Sequence, residues 1–362
     1  MRIKQIRIKQ FRCFSQLDLN LDNHVVLLQG ENGTGKTTIL EAIHYLCYMR
    51  SFRTHVPRDL IKFDEDNFFV KIVFSESDQQ EAITHDLQVG FDKKRKIVKL
   101  NKKNITTFKD LVNFYRIVVL TEDDLNVIKG GPELRRAFLD SALFVLDDTF
   151  IDCTRDFKKV LENRNMLLQK DRIGQESYLL WTRQLWEKSR IIQTKRDKLM
   201  VNLEKAVNDA LKATFKEKIA VKLEHKTKNM SLDAEYEQFE QNLLSLKEQE
   251  MRFRRSLFGA HLDDFIINFQ GKKSKVFASR GQQKLVVLLL KVAQIIGLTA
   301  KRGPAIFLLD DFMTDFDEER ASKLANFLPS LNSQIILTSP CRSGFFENLA
   351  SKLGANKIQL TI

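Results

Sequence analysis

Two short segments of this chain have residue types and spacing suited to phosphate chemistry. The first, Gly30-Glu31-Asn32-Gly33-Thr34-Gly35-Lys36-Thr37-Thr38, fits the pattern G-x-x-x-x-G-K-[ST]. It follows the apolar run His24–Gln29 and opens the helix-favouring run Thr37–Leu46, the strand–loop–helix context in which this pattern binds a nucleoside triphosphate. Glycines let the backbone curl so that successive N–H groups converge on a phosphate, and the helix N-terminus adds its partial positive charge. Lys36 is expected to reach the β- and γ-phosphates, and Thr37 to hold Mg²⁺. The second segment, Ala305–Asp311, is an apolar run that ends in two carboxylates. Asp310 would hold Mg²⁺, directly or through water, and Asp311 stands where a carboxylate can orient an attacking water. A buried strand ending in a polar turn accounts for one such Asp more readily than for two. ATP and Mg²⁺ are therefore the expected cofactors, with Lys36, Asp310 and Asp311 as the catalytic candidates.

Lys36 and Asp310 lie 274 residues apart, too far for a compact P-loop kinase or a small GTPase. About thirty residues before Asp310 comes Ala278-Ser279-Arg280-Gly281-Gln282-Gln283-Lys284, which leads into the apolar run Leu285–Leu290. Ser-x-Gly-Gln at a helix start is the signature pattern of ABC-type ATPases. Its hydroxyl and free N–H groups suit the γ-phosphate of a nucleotide held by a second subunit. Alone it reads equally well as an ordinary N-cap; its place between the loop and the paired carboxylates favours the signature. Asp317 falls where ABC-type ATPases put an acidic residue that crosses the dimer interface, and it also suits the first turn of a helix.

These residues need a sheet to carry them. Ile3–Lys9, Val25–Gln29, Phe68–Phe74, His85–Phe91 and Lys96–Leu100 are predicted strands, and Ala305–Leu309 and Gln334–Thr338 have the continuous apolar character of buried parallel strands. From Gln175 to Phe258 there is neither glycine nor proline, and Leu185, Ile192, Leu199, Leu203, Val207 and Leu211 follow a helical stripe. The predicted layout is an α/β nucleotide lobe formed by residues 1–110 and 255–362, split by a mainly helical arm over residues 111–254.

Composition narrows the class further. An apolar fraction of 43% with 29% charged residues over 362 positions argues against disorder, collagen-like sequence and a disulfide scaffold. Cys13, Cys47, Cys153 and Cys341 form no CxxC pair, so reduced thiols in a cytoplasmic protein are the expectation. No run approaches the roughly 18 unbroken apolar residues of a membrane helix, and no membrane partner is expected. The net charge of +12 is spread along the chain, with clusters at Lys93–Lys103, Arg252–Arg255 and Lys272–Lys275. Such clusters read either as solvated faces or as phosphate contacts to nucleic acid.

Taken together, these motifs resemble the bacterial RecF recombination-mediator family over nearly the whole chain. The resemblance rests on Ile6–Phe14 with its Phe-Arg pair, Ser51-Phe52-Arg53-Thr54, Glu122–Leu125, Gly131–Asp140 with its paired arginines, and Gly259–Asp264, besides the three nucleotide motifs. Ala260 and Leu262 depart from the Pro and Arg usual in that last motif. The resemblance implies an α/β fold, an ABC-type (SMC/RecF-like) P-loop ATPase head with a mostly helical insertion arm. It further implies a weak, DNA-dependent ATPase that clasps duplex DNA and single-strand/duplex junctions without sequence preference, forms an ATP-dependent homodimer and acts with RecR and RecO. Gly30–Thr38, Ser279, Gly281, Gln282 and Asp317 would bind nucleotide. Arg135 and Arg136 would either position an acidic helix or touch phosphate, the former being favoured. Two other readings remain at this level: an SMC-type chromosome-organising head, against which the short arm and missing CxxC argue, and a transporter ATPase subunit. The latter should carry a Q-loop glutamine and a switch histidine, and neither is found.

Overall fold

The structure, a computed structural model, describes residues 1–77, 82–105, 111, 114–215, 220–241, 243–311, 316–339 and 350–361. In chain order the first elements are β1 (Arg2–Phe11), β2 (Phe14–Asn20), β3 (Val25–Gln29), α1 (Lys36–Tyr48), β4 (Phe68–Ser77), β5 (Ala82–Phe91), β6 (Lys96–Leu100), β7 (Lys103–Asn104) and β8 (Ile117–Leu120). Helices α2 (Pro132–Leu146), α3 (Phe150–Leu168) and α4 (Gln175–Phe215) come next, then β9 (Val221–Lys226), α5 (Leu243–Phe253), β10 (Asp264–Phe269), β11 (Lys272–Lys273), α6 (Ser274–Phe277) and α7 (Arg280–Arg302). The last are β12 (Ile306–Leu309), α8 (Glu318–Phe327), β13 (Gln334–Ser339) and β14 (Asn356–Gln359).

Two contact units divide the chain. The first comprises Met1–Asp124, Ala210–Lys218 and Val287–Ile362; the second comprises Leu125–Asp209 and Ile219–Val286. This division departs from the predicted boundaries in three places, one of them Ala210–Lys218, which was expected in the arm and belongs to the first unit. Residues 111–124 fall in the first unit, not in an arm, because β8 pairs in parallel with β12. Residues 255–286 fall in the second unit, because β10 pairs antiparallel with β9 from Asp264↔Lys226 to Phe269↔Val221. The glycine-free stretch is likewise not all helix: α4 runs 41 residues, and strand β9 lies between it and α5.

Among the described residues the first unit holds two sheets. One is antiparallel, in the order β2-β1-β4-β5-β6-β7; the other is parallel, in the order β14-β3-β13-β12-β8. Alternation in β1 sends Ile3, Ile6, Ile8 and Phe11 inward and Arg7 and Lys9 outward, as expected of a sheet with one wet face. Those isoleucines pack in a core with Ile39, Leu40, Ile43 and Leu46 of α1 and Val70, Ile72 and Phe74 of β4. In the parallel sheet every residue of β3, β12 and β13 is buried.

In the second unit, the helical stripe is buried as predicted from Leu185 to Val207. Its interior also contains the Arg164–Glu250 ion pair, both side chains 0% exposed, which Thr182, Tyr178 and Ser256 complete with hydrogen bonds. Saturating every donor and acceptor in this way is what makes a buried ion pair tolerable. Among the described residues one helix, Arg280–Arg302, is long and apolar enough to cross a membrane; 78% of its apolar window is buried in the fold. Its run continues past Lys291 because that side chain is paired with Asp124 at 2.7 Å.

Candidate nucleotide-binding site

The loop after β3 is shaped by its glycines. Gly33 and Gly35 have φ of 90° and 89°, a region open to glycine but strained for other residues. A Cβ on Gly35 would also lie 2.4 Å from the Phe14 ring and 2.8 Å from Cys13 Sγ. The Lys36 ammonium folds back along the loop and donates to the carbonyls of Gly30 and Glu31, both at 2.9 Å. Thr34 Oγ1 donates to the Glu31 carbonyl at 2.9 Å. Helix α1 starts at Lys36 with its first amides directed at the loop, since no side chain caps it.

Asp310 follows β12, and its amide donates to the Leu120 carbonyl at 2.9 Å, continuing the ladder with β8. Its Oδ1 accepts from Thr37 Oγ1 at 2.9 Å and from Thr338 Oγ1 at 3.0 Å. The same Thr338 hydroxyl accepts from the Asp311 amide at 2.8 Å, so one side chain of β13 sets both carboxylate residues. Asp311 adopts a positive φ of 48°, just beyond the C-terminal end of the interior strand β12. Burial raises the Asp310 carboxyl above its usual range, opposed by the two hydroxyl bonds and by the charges of Arg53 and Lys36. A hydroxyl and a carboxylate oxygen side by side, with cations nearby to offset phosphate, fit a hard divalent ion that takes its other ligands from water and phosphate.

A cleft of about 530 Å³ opens over these groups. It is lined by Asn32, Gly33, Gly35, Lys36, Thr37, Thr38 and Asp311, together with Arg12, Cys13, Arg53, Asp59 and Ile61. The loop and both carboxylates predicted from sequence are thus brought together in the first unit.

Comparison with known proteins agrees with this geometry. The RecF/RecN/SMC N-terminal domain family matches residues 2–360. Over 352 residues the chain is 32% identical to the DNA replication and repair protein RecF of Geotalea daltonii, covering 94% of this chain and 93% of the relative. The chain belongs to the RecF family. The RecF of Bacillus thuringiensis is 30% identical, with 94% and 92% coverage. A solved structure of the recombination mediator protein RecF with ATP in the RecFOR pathway superimposes with a TM-score of 0.80 at 25% identity, over 95% of this chain and 93% of that one. An SMC head bound to the C-winged helix domain of ScpA shares the fold, with a TM-score of 0.55 at 15% identity over 100% of this chain and 94% of that one. The fold is therefore the ABC-type head inferred from the motifs.

Residues of the RecF-family Phe-Arg elements acquire a physical role that sequence reasoning missed. Glu41, on the buried side of α1, is 0% exposed and accepts a bidentate pair from Arg12, at 2.7 and 3.0 Å. Ser51 Oγ donates to the same carboxylate at 2.6 Å and Arg53 Nη1 at 3.4 Å. One carboxylate thereby holds two guanidinium groups at the rim of the cleft, where a triphosphate concentrates negative charge. The available signal was a glutamate one turn into the helix after the loop, flanked in sequence by two Phe-Arg pairs.

The remaining motif residues lie elsewhere. Ser279, Gly281 and Gln282 open α7 in the second unit. The Ser279 hydroxyl accepts from the Gln282 amide at 3.3 Å, while Gln282 Oε1 accepts from the Ser279 amide at 2.9 Å, the reciprocal geometry of a capping box. The N-cap role and exposure of the Ser279 side chain coexist. Asp317 caps α8, accepting from the Arg320 amide at 2.8 Å; residues 312–315 of the same motif lie outside the described residues. Arg135 binds Asp264 at 2.6 and 2.9 Å, and Arg136 donates to the Asp263 carbonyl at 2.6 Å. The paired arginines therefore hold the end of the Gly259–Asp264 segment at the start of β10, a structural role but not on the acidic helix expected.

Proposed function

We propose that this chain is an ATP-driven molecular clamp of recombinational DNA repair, acting in the cytoplasm. The observation that carries the reading is the 2.9 Å contact between Thr37 and Asp310 at the foot of a cleft lined by the phosphate loop and two framed arginines. Gly30–Thr38 wrap the triphosphate with backbone amides, and Lys36, Arg12 and Arg53 offset its charge. Thr37 and Asp310 are the residues that would hold Mg²⁺, which would offset negative charge on the triphosphate. Asp311 orients the attacking water. Its carboxylate is shorter than the glutamate common in ABC-type ATPases, which suits slow hydrolysis and a timed release.

Each cleft is completed by Ser279, Gly281 and Gln282 of a second copy, with Asp317 at the interface, so ATP favours a two-fold dimer. DNA binding then rests on Lys and Arg contacts to phosphate and has no base code. The hairpin of β6 and its flanks keeps Lys94, Arg95, Lys96, Lys99, Lys102 and Lys103 exposed, which supports it as one contact surface. The solved RecF structure described in the RecFOR pathway supports RecR and RecO as partners.

Mass measurement in solution and fluorescence anisotropy with duplex DNA, each with and without ATP and across a salt series, test the reading. The expected result is dimerisation and tighter, salt-sensitive DNA binding with ATP, lost in Lys36→Met and Ser279→Arg. DNA affinity independent of both ATP and salt would refute it. Reversing charge at Lys94, Arg95 and Lys96 should lower the salt slope by about three, roughly one per phosphate contact.

A further inference from the structure

Two exposed apolar pairs stand beside the two halves of the nucleotide machinery. Next to the signature, Val276 and Phe277 of α6 are 69% and 64% exposed. The Lys272 ammonium lies 5.6 Å from the Phe277 ring centroid. Next to the cleft, Val56 and Phe63 are 51% and 87% exposed. An aromatic ring left that open to water is a common mark of a contact surface when it is matched elsewhere by another.

The cleft-side pair sits on a rim that is stitched in place. The Arg12 amide donates to the Leu60 carbonyl at 2.8 Å and the Lys62 amide to the Gln10 carbonyl at 2.9 Å, tying residues 60–62 to β1. Asp59 and Ile61 of this segment line the cleft itself. Phe63 is two residues beyond Ile61, and Val56 three before Asp59. On the other side Phe277 is two residues before Ser279, within about 7 Å along the chain. A signature that reaches a cleft must therefore bring these apolar side chains close to that cleft's rim.

Charge makes the match specific. Residues 58–66 hold four carboxylates, Asp59, Asp64, Glu65 and Asp66, against Arg58 and Lys62. Residues 272–280 hold Lys272, Lys273, Lys275 and Arg280 and no carboxylate. Asp66 is paired with Lys93, and Asp64 and Glu65 remain beside Phe63 opposite in sign to the lysines beside Phe277, the arrangement that steers and orders an interface.

We propose that Val276 and Phe277 of one copy of this chain pack against Val56 and Phe63 of a second copy, with the 272–280 cations facing the 58–66 carboxylates. The contact is a latch at the edge of each nucleotide cleft, made twice by two-fold symmetry. It rests on the ATP-dependent dimer proposed above and adds to it residues that touch no nucleotide. Its function is to stabilise the closed dimer and to set the register in which Ser279 meets the partner's phosphate loop.

The test is the dimer dissociation constant of the full chain with ATP, measured by sedimentation for Phe63→Ala, Phe277→Ala and the double variant, alongside binding of a fluorescent ATP analogue to dilute protomers. Both rings are at the surface, so folding is preserved and is checked by the protomer binding. Each single change should weaken the dimer about tenfold and leave protomer binding unchanged. The double variant should be no weaker than the worse single one, because each change already removes both copies of the latch. Asp64→Lys should weaken the dimer, and adding Lys275→Glu should recover most of the loss. If wild type dimerises with ATP and Ser279→Arg prevents it, but the Phe variants stay within twofold of wild type, the latch is overturned while the dimer reading stands. A wild type that remains monomeric with ATP would overturn the dimer reading itself.

Discussion

Replacing Glu41 by Gln isolates what one buried carboxylate does for the cleft. The change keeps the shape of the side chain and removes its charge. Glu41 is 0% exposed, while Arg12 and Arg53 are 22% and 44% exposed. Removing one partner from a fully buried pair costs about 3–5 kcal/mol. Here both guanidinium groups keep partial access to water and can be rehydrated, so about 2 kcal/mol of stability is the appropriate size. A second cost falls on the ligand. Two cations no longer held at the rim should weaken ATP binding by one to two powers of ten, at about 1.4 kcal/mol per tenfold. Urea titration gives the first quantity and titration with a fluorescent ATP analogue the second. A double-mutant cycle with Arg12→Ala should return a coupling of about 1–2 kcal/mol. Glu41→Gln that unfolds at the wild-type midpoint and binds nucleotide within twofold of wild type would refute the framing role.

Two further outcomes rest on local geometry and on burial. Gly35→Ala forces a left-handed conformation, at φ 89°, on a residue with a Cβ and places that Cβ against Phe14 and Cys13. It should cost about 1–3 kcal/mol and reduce nucleotide binding, read by urea denaturation and by analogue titration. Burial lowers the imidazoles of His44, to about 4, and of His85 and His261. Their folded values lie below the unfolded 6.5, so the stability they contribute is present above about pH 6.5 and lost as pH falls below it, for His44 down to about 4. His44 is only half-buried, so its share is about 2 kcal/mol; His44→Gln should flatten the pH dependence of the urea midpoint.

The phosphate loop and the paired carboxylates were legible because each is a contiguous run whose chemistry depends on local spacing. The strands that carry them, β3, β12 and β13, were legible for a related reason, being buried on both faces and apolar throughout. Strand β14 was not: Asn356-Lys357-Ile358-Gln359 is an edge strand with one half-buried residue, so no hydrophobic pattern announces it. Strand β8 carries a short apolar run next to an acidic segment and gained its place only through pairing with β12. Arg12 and Arg53 were seen as motif letters, but their place at the cleft depends on Glu41, which contacts both from the middle of α1. No spacing rule links three such positions. The helical stripe was read correctly over α4, and the same absence of glycine and proline hid β9, whose Val-Lys-Leu-Glu alternation becomes strand through its partner β10.

The strand that leads into the phosphate loop is flanked on one side by β13 and on the other by β14. The side chain of Gln334, at the start of β13, also ties the carbonyls of Ile3, Leu21 and Asn23 together. During synthesis, β3 emerges roughly 300 residues before either neighbour. At 5–20 residues per second that is an interval of about 15–60 s in which β3 has neither of its parallel neighbours. The set of Thr37, Asp310 and Thr338 is therefore complete only once β12 and β13 have been made. That set is assembled late, when the final strands slide in beside the first.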